Sequence, residues 1–323
     1  MKRVLVTGAT GFVGNVLCTT LAQRGYVVRA TLRREGPIPA CVGEKVIVGD
    51  IGPGTDWSEA LAGIDLVIHA AARVHVLNDA ADSAGEYLRT NGHGTRRLAL
   101  DAAHAGVRRF VYLSSVKVNG EQTIGTAFTA QDAPSPQDAY GSSKALGERF
   151  VTEIGTQTRM EVAIVRPPLV YGPGVRANFR RLLSWVDRGW PLPLDSVHNR
   201  RSLVSVWNLC DLLLRVLEHP EASGGTWMVS DDEDLSTPEL VRRIATAMGR
   251  KARLLPVPVG LLRLAARLLL RRAEMERLCG SLAVDVSQTR NRLAWAPPLT
   301  TDDALRRTVA WYLSEQNSAA GRG

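Results

Sequence analysis

The sequence predicts an α/β protein built on a doubly wound parallel sheet, with a smaller mixed α/β lobe towards the C-terminus. Short β-branched runs alternate with helix-like stretches over the first half of the chain, which is typical of βαβ units. The runs are continuously apolar, as in a sheet covered on both faces. A glycine-rich turn also joins the first run to the first helical stretch.

The predicted elements follow in order along the chain. Strands are expected at 4–7, 27–32, 46–48, 66–70, 110–114 and 162–166, and helices at 12–24, 84–105 and 139–153. From residue 167 prolines and glycines break this rhythm. Helices are expected there at about 178–188, 208–218, 237–248 and 258–278, and strands near 203–206 and 226–230. We therefore predict a dinucleotide-binding domain over 1–166 and a second lobe over 167–323, interleaved with the first.

Composition excludes several classes of protein. The 323 residues carry a net charge of +8, but the basic residues are spread along the chain without a basic tail, so nucleic acid is not an expected partner. The four cysteines form no C-x-x-C pair, which favours reduced thiols, a cytoplasmic setting and no metal site. No 18-residue apolar stretch predicts a membrane span. The stretch 257–270, interrupted by arginines, is expected to pack its leucines on the protein; the alternative is a membrane surface.

The glycine-rich turn indicates a phosphate-binding loop. Gly8, Gly11 and Gly14 follow the first strand directly and open the first helix. Small residues let the backbone approach a pyrophosphate, and the helix N-terminus offers N–H donors. This strand–turn–helix context predicts a Rossmann-type dinucleotide site. The loop residues expected to bind the cofactor are Gly8, Thr10, Gly11, Phe12, Val13 and Gly14.

The end of the second strand bears on the choice of cofactor. An acidic residue there binds the ribose hydroxyl of NAD, but this chain has Thr31 followed by Arg33 and Arg34. An arginine at this place suits a 2′-phosphate, so NADP(H) is favoured and NAD(H) stays possible. The alternative is that both arginines simply face solvent. Asp50, followed by Ile51, is placed to reach the adenine.

A catalytic group is predicted from Tyr140, Lys144 and Ser115. A spacing of four residues puts Tyr140 and Lys144 on one helix face. A free phenol has a pKa near 10, which an adjacent ammonium lowers, so the pair is suited to proton transfer. Ser115 ends a strand, where ligands of such sheets bind. Its hydroxyl is expected to orient the reacting oxygen.

These residues resemble the extended short-chain dehydrogenase/reductase family, in particular its NAD-dependent epimerase/dehydratase group. The segments that carry the resemblance are the loop 7–14, the alanines Ala70, Ala71 and Ala72 after the fourth strand, Asn91, the set Ser115, Tyr140 and Lys144, the segment 166–174 with Pro167, and the C-terminal segments 285–289 and 293–297. The likeness spans about residues 2–312. It implies that Ala70–Ala72, Asn91 and Pro167 also line the cofactor.

The resemblance also implies a substrate. In this family the second lobe binds a nucleoside diphosphate sugar, here a UDP-linked sugar. By position, Asn178 and Arg201 match its diphosphate contacts, Arg277 is a further candidate, and Ser115 touches the sugar. A homodimer through the helices near 84–105 and 139–153 is likewise implied.

Departures from the family pattern favour one reaction. Asn119 follows Val118 where a tyrosine is usual, and Leu169 stands where many members carry asparagine. The run 114–121 is similar to bacterial 4-ketoreductases that finish UDP-N-acetyl-6-deoxyhexosamines for surface polysaccharide. NADPH would then reduce a C4 ketone, Tyr140 would protonate the oxygen, Ser115 would position it, and Lys144 would hold the ribose and tune the phenol.

The sequence leaves three alternative functions open. A UDP-hexose 4-epimerase of the UDP-glucose type would use the same residues with NAD retained through the cycle. A regulator that senses NAD(P) without chemistry would not need the Tyr–Lys pair. A dehydratase of this family carries acidic residues just after the serine, where this chain has Val116 and Lys117.

Overall fold

Apolar β-branched runs form strands close to the predicted positions. A computed structural model describes residues 1–74, 83–268 and 272–320. Its strands are β1 (Arg3–Thr7), β2 (Val27–Leu32), β3 (Glu44–Ile47), β4 (Leu66–His69), β5 (Arg109–Leu113), β6 (Glu161–Arg166), β7 (Leu169–Tyr171), β8 (Arg201–Ser205), β9 (Thr226–Met228) and β10 (Asp234–Leu235). The short strands β7 and β10 were not predicted, because two or three residues carry no readable alternation.

Seven strands form one parallel sheet in the order β3-β2-β1-β4-β5-β6-β9. Val6 of β1 pairs with Ala30 of β2 on one side and with Ile68 of β4 on the other, so the winding reverses between β1 and β4. Ligands of such sheets bind outside the carboxyl ends of the strands at this reversal. The predicted α/β class with a doubly wound parallel sheet is confirmed.

Helices cover both faces of this sheet. They are α1 (Phe12–Gln23), α2 (Ser58–Leu61), α3 (Ser83–Tyr87), α4 (Thr95–His104), α5 (Ala139–Gln157), α6 (Ala177–Asp187), α7 (Val206–Glu218), α8 (Thr237–Ala247), α9 (Val259–Leu268), α10 (Arg272–Cys279), α11 (Ser287–Leu293) and α12 (Thr301–Ala320). Val6 lies in a core with Leu17 of α1 and Leu213 of α7. Leu5, on the opposite face, lies in a core with Leu98 of α4 and Val151 of α5. Alternate residues of one strand therefore bury against different helices.

The predicted helical stretch over 84–105 is helical throughout 83–104, but it is not α-helical in its middle. A seven-residue π-helix, Leu88–Gly94, separates α3 from α4. The carbonyl of Asn91 accepts hydrogen bonds from Thr95 Oγ1 at 2.7 Å and from the Tyr112 hydroxyl at 3.3 Å. A Cβ on Gly92 would lie 2.7 Å from a methyl of Leu146, so this widened turn is packed tightly against α5. Such bulges are frequent at functional sites.

The chain after residue 166 contributes to two sheets. Strands β7, β8 and β10 form a second sheet, with β7 parallel and β10 antiparallel to β8. Its core contains Phe179, Leu203, Leu240 and Leu305. Strand β9 then returns to the large sheet beside β6. The division at residue 166 into two functional parts stays a prediction.

The predicted helix over 258–278 is described only in part. Its first portion is α9 and its last is α10, and residues 269–271 between them lie outside the described residues. Helix α12 was not predicted. Within the three described ranges, no helix combines the length and apolar character that crossing a bilayer requires.

Candidate catalytic and dinucleotide site

The glycine loop forms a tight turn at the carboxyl end of β1. Gly8 has a positive φ of 72°, and a Cβ there would lie 2.8 Å from the backbone N of Ala71. A Cβ on Gly14 would lie 2.0 Å from the carbonyl oxygen of Gly8. Gly11 is the N-cap of α1 and supplies no side-chain cap, so the first N–H groups stay available. This arrangement fits a dinucleotide pyrophosphate at the helix N-terminus.

The loop after β4 lies against this turn. Thr7 Oγ1 accepts a hydrogen bond from Ala71 N at 3.1 Å and shares one with His69 Nδ1 at 2.6 Å. Burial and then the charge of Lys144 lower the pKa of His69 to about 3, so the imidazole is neutral. The alanines at 70–72 thereby lie beside Gly8, where the sequence places them.

Asn91 connects the same loop to α5. Its Oδ1 accepts from Arg73 N at 2.8 Å, while its Nδ2 donates to Arg73 O at 3.0 Å and to Ser143 Oγ at 3.0 Å. Both ends of the buried amide are therefore used within the protein. These hydrogen bonds hold the loop in place, and a contact of Asn91 with the cofactor stays a prediction.

The predicted adenosine contacts meet at one exposed edge. Thr31 and Leu32 are buried, whereas Arg33 and Arg34 beyond them are exposed. Arg33 Nε lies 3.6 Å from Asp50 Oδ1, and both side chains are about two-thirds exposed. Among the residues described, no acidic side chain is paired with Arg34. This edge therefore carries two cations and one carboxylate, and a preference for NADP over NAD stays a prediction.

The structure brings Ser115 and Tyr140 together. Ser115 has extended backbone just after β5 and accepts a hydrogen bond from Lys117 N at 3.2 Å. Asp138 caps α5 by accepting from Gly141 N at 2.6 Å, which places Tyr140 in the first turn. A side-chain hydrogen bond joins Ser115 to Tyr140. The serine at a strand end and the tyrosine at a helix start therefore form one unit.

Lys144 lies buried one turn further along α5. Its Nζ donates to the carbonyl oxygen of Leu113 at 2.7 Å and lies 4.6 Å from the ring centroid of Tyr112. Burial lowers the pKa of Lys144 to about 7, and the charge of Glu148 opposes this shift. A buried lysine whose pKa is lowered close to 7 is typical of catalytic rather than structural lysines.

The pKa of Tyr140 differs from the sequence prediction. Burial raises the phenol pKa above its ordinary value, the charge of Asp138 adds to the increase, and the hydrogen bond with Ser115 opposes it. The spacing from Lys144 predicted a lowered value. Burial of the phenol, and not the charge of Lys144, sets the direction of this shift in pKa. In the polypeptide Tyr140 is therefore a protonated donor at neutral pH.

The end of β6 is joined to the Ser115 turn. The carbonyl oxygen of buried Pro167 accepts from Val116 N at 3.0 Å, and Ser114 N donates to Val165 O at 2.8 Å. Through this hydrogen bond, Pro167 holds the turn that begins at Ser115. On the loop beyond β7, a Cβ on Gly174 would lie 3.5 Å from the ring of Phe12, so this loop closes over the start of α1.

The predicted substrate residues lie in different surroundings. Arg201 begins β8, and its Nη1 donates to Gly280 O at 3.1 Å. Burial lowers its pKa, and Glu121, which follows the Ser115 turn, opposes the shift. Asn178 is exposed at the start of α6, and no described hydrogen bond joins it to the catalytic group. The side chain of Arg277, in α10, lies outside the described residues.

Sequence reasoning missed several charged residues around the site. Glu148 and Arg166 form a buried ion pair, and Lys117 donates to Glu121 at 2.7 Å and to Asp138 at 2.5 Å. Glu148 repeats the spacing that separates Tyr140 from Lys144, a signal that was available. Over the described ranges, no group of three or more His, Cys, Asp or Glu residues could hold a metal ion.

Known proteins resemble this chain over nearly its whole length. The model of the NAD dependent epimerase/dehydratase family matches residues 4–230. A UDP-glucose 4-epimerase of Vibrio cholerae is 40% identical, over 98% of this chain and 97% of that protein. A 3-beta-hydroxysteroid dehydrogenase of Mycolicibacterium neoaurum is 30% identical, over 100% of this chain and 94% of that protein.

A solved structure shows the same architecture. MoeE5 in complex with UDP-glucose and NAD superposes with a TM-score of 0.78 at 25% identity, covering 97% of this chain and 99% of MoeE5. This chain has the glycine loop, the strand order and the Ser–Tyr–Lys group described above. It is also matched by the family model and by full-length relatives. This protein belongs to the NAD-dependent epimerase/dehydratase family and is an NAD(P)-dependent enzyme of the extended short-chain dehydrogenase/reductase type.

Proposed function

We propose that this enzyme is an NADP(H)-dependent nucleotide-sugar oxidoreductase, which reduces the C4 ketone of a UDP-4-keto-6-deoxy-N-acetylhexosamine for surface polysaccharide synthesis. The observation that carries the proposal is the side-chain hydrogen bond between Tyr140 and Ser115 at the carboxyl end of β5. A reductase needs a proton donor beside the carbonyl oxygen, and a phenol hydrogen-bonded to the serine that orients this oxygen is placed to be that donor.

The chain's own residues supply binding and proton transfer. A bound nicotinamide dinucleotide would supply the hydride, and its pyrophosphate fits the loop of Gly8, Gly11 and Gly14. Ser115 donates a hydrogen bond to the ketone oxygen and holds it near Tyr140. Tyr140 gives its proton as negative charge develops on that oxygen. Lys144 provides the positive charge that stabilises the phenolate left behind.

The remaining predicted residues belong to the same proposal. Ala70–Ala72 border the phosphate loop, Asp50 and Ile51 the adenine, and Pro167 the nicotinamide side. Arg201 and Asn178 are proposed to hold the UDP diphosphate. The case for Arg201 is that it interacts electrostatically with Glu121, which follows the Ser115 turn. Leu169 is 40% exposed at the start of β7, and an apolar surface there suits a 6-deoxy sugar.

A second candidate is a UDP-hexose 4-epimerase. The observation that favours it is the 40% identity with the Vibrio cholerae UDP-glucose 4-epimerase. The same Tyr140 and Ser115 would remove and return a proton while the nucleotide stays bound. The exposed Arg33 and Arg34, in place of an acidic residue at the end of β2, favour the reductase instead.

One experiment separates the two candidates. The purified protein is analysed for bound nucleotide, and NADPH oxidation is then followed with a UDP-4-keto-6-deoxy-N-acetylhexosamine. We expect one NADPH consumed per sugar reduced. Interconversion of UDP-glucose and UDP-galactose without net oxidation, in protein that carries NAD, would instead establish the epimerase.

The cofactor choice is tested by the double substitution Arg33→Ser with Arg34→Ser. We expect the Kd for NADPH to rise about 10- to 100-fold, because hydrogen bonds to a charged group contribute about 1.5–3 kcal/mol, and the Kd for NADH to change little. Calorimetry measures both. Arg24→Ser, an exposed arginine at the far end of α1, is the matched control. Equal loss of both nucleotides would argue against a 2′-phosphate site.

A further inference from the structure

A buried ion pair lies directly behind the catalytic group. Glu148 and Arg166 are 6% and 4% exposed. Arg166 Nε donates to Glu148 Oε1 at 2.8 Å, and Arg166 Nη2 donates to Glu148 Oε2 at 2.5 Å. Such a pair contributes little to stability compared with apolar residues, because desolvation offsets most of the attraction. Its presence here therefore calls for a role in the site.

Both members of the pair hold the backbone around Ser115. Ser114 Oγ donates to Glu148 Oε1 at 2.5 Å, which fixes the residue just before Ser115. Arg166 Nη1 donates to Asn119 Oδ1 at 3.1 Å, which fixes the end of the turn that follows Ser115. The catalytic serine is thus held from both sides by one charge network.

The same carboxylate faces Lys144. Glu148 lies one helical turn after Lys144, and its charge raises the lysine pKa against the effect of burial. The other groups close to the ammonium are neutral at pH 7: His69 has a pKa of about 3, and burial raises the pKa values of Tyr112 and Tyr140. On the Tyr140 side Lys117 pairs with both Asp138 and Glu121, so these three side chains together carry one net negative charge. Glu148 is the acidic group whose charge raises the pKa of Lys144.

We propose that Glu148 is a positioning residue of the catalytic site, which acts through Ser114 to hold the strand end that carries Ser115 and acts on Lys144 as its counter-charge. Arg166 neutralises the charge of the Glu148 carboxylate and orients this carboxylate towards Ser114 and Lys144. The activity readout of this inference rests on the proposed function, but the charge state of Lys144 can be measured without any substrate.

The test is Glu148→Gln, with two readouts. Without the carboxylate the pKa of Lys144 falls, so the ammonium loses its proton at lower pH. We expect the alkaline limb of kcat/KM to move to lower pH by about one unit or more. NMR titration of protein with 13C-labelled lysine side chains should show the same downward shift for the Lys144 resonance. Glu153→Gln, an exposed glutamate on the same helix, is the matched control.

A double variant separates positioning from folding. Glu148→Gln alone leaves Arg166 buried without a counter-charge and lowers stability. Glu148→Gln with Arg166→Gln removes both charges, so we expect it to regain stability while the Lys144 shift persists. A Lys144 titration in the double variant that matches wild type would overturn the inference. A shifted titration in an enzyme that reduces no 4-keto sugar would refute the proposed function and leave this inference intact.

Discussion

Tyr140→Phe is expected to lower turnover by about a thousandfold while nucleotide affinity stays within about twofold of wild type. The substitution removes the hydroxyl that hydrogen-bonds to Ser115 and leaves the ring in place. Burial favours the protonated phenol, so in the proposed reduction Tyr140 donates the proton, and water does not replace it readily in a buried position. Stopped-flow measurement of NADPH oxidation, together with a nucleotide titration, gives both quantities.

The control for Tyr140→Phe is Tyr87→Phe. The ring of Tyr87 contacts that of Tyr140 edge-on, with centroids 6.3 Å apart, so the same atom is removed from the adjacent ring. We expect turnover of the Tyr87 variant to stay within a few-fold of wild type, because the substitution changes only a neighbour of Tyr140. Comparable turnover losses in the two variants would remove Tyr140 from the chemical step.

Gly14→Ala is expected to abolish measurable nucleotide binding and to lower the free energy of unfolding by about 3 kcal/mol. Its Cβ would lie 2.0 Å from the carbonyl oxygen of Gly8 and 2.8 Å from the Cα of Ala9. All of these contacts are with backbone, so no side-chain rotation relieves them. The first turn of α1 must move away from β1, and the N–H groups that face the pyrophosphate move with it.

Thermal unfolding and NADPH calorimetry test this expectation. Gly54→Ala is the matched control, because a Cβ there meets nothing within 4 Å and the residue does not have a positive φ. We expect its melting temperature and Kd to match wild type. Wild-type affinity in the Gly14 variant would mean that the loop tolerates displacement and that the phosphates bind elsewhere.

Local signals explain which parts of the site could be predicted. The glycine loop, the Tyr140–Lys144 spacing and Ser115 lie within short segments whose strand and helix contexts are readable from sequence. The Glu148–Arg166 pair joins residues eighteen positions apart on different elements, and its Asn119 partner lies further still. Such pairings depend on how α5 packs on β6, which no local pattern encodes.

The π-helix and the short strands were missed for other physical reasons. The widened turn at Leu88–Gly94 is stabilised by contacts of Asn91 with distant residues, so local helix propensity predicts only a continuous helix. Strands β7 and β10 are held by pairing with β8 rather than by their own pattern. The raised pKa of Tyr140 likewise follows from burial, which spacing along a helix does not reveal.

The return of β9 to the large sheet has a consequence for how the protein could be divided. Helix α7 and strand β9 lie between β8 and β10 of the second sheet in the chain, yet they complete the first sheet. A polypeptide that stopped at residue 166 would expose the edge of the apolar strand β6 and the face that Leu209 and Leu213 cover. Exposed edges and uncovered cores of this kind promote aggregation. We therefore expect that a polypeptide ending at residue 166 does not fold stably on its own, because residues after 166 complete its sheet and its core.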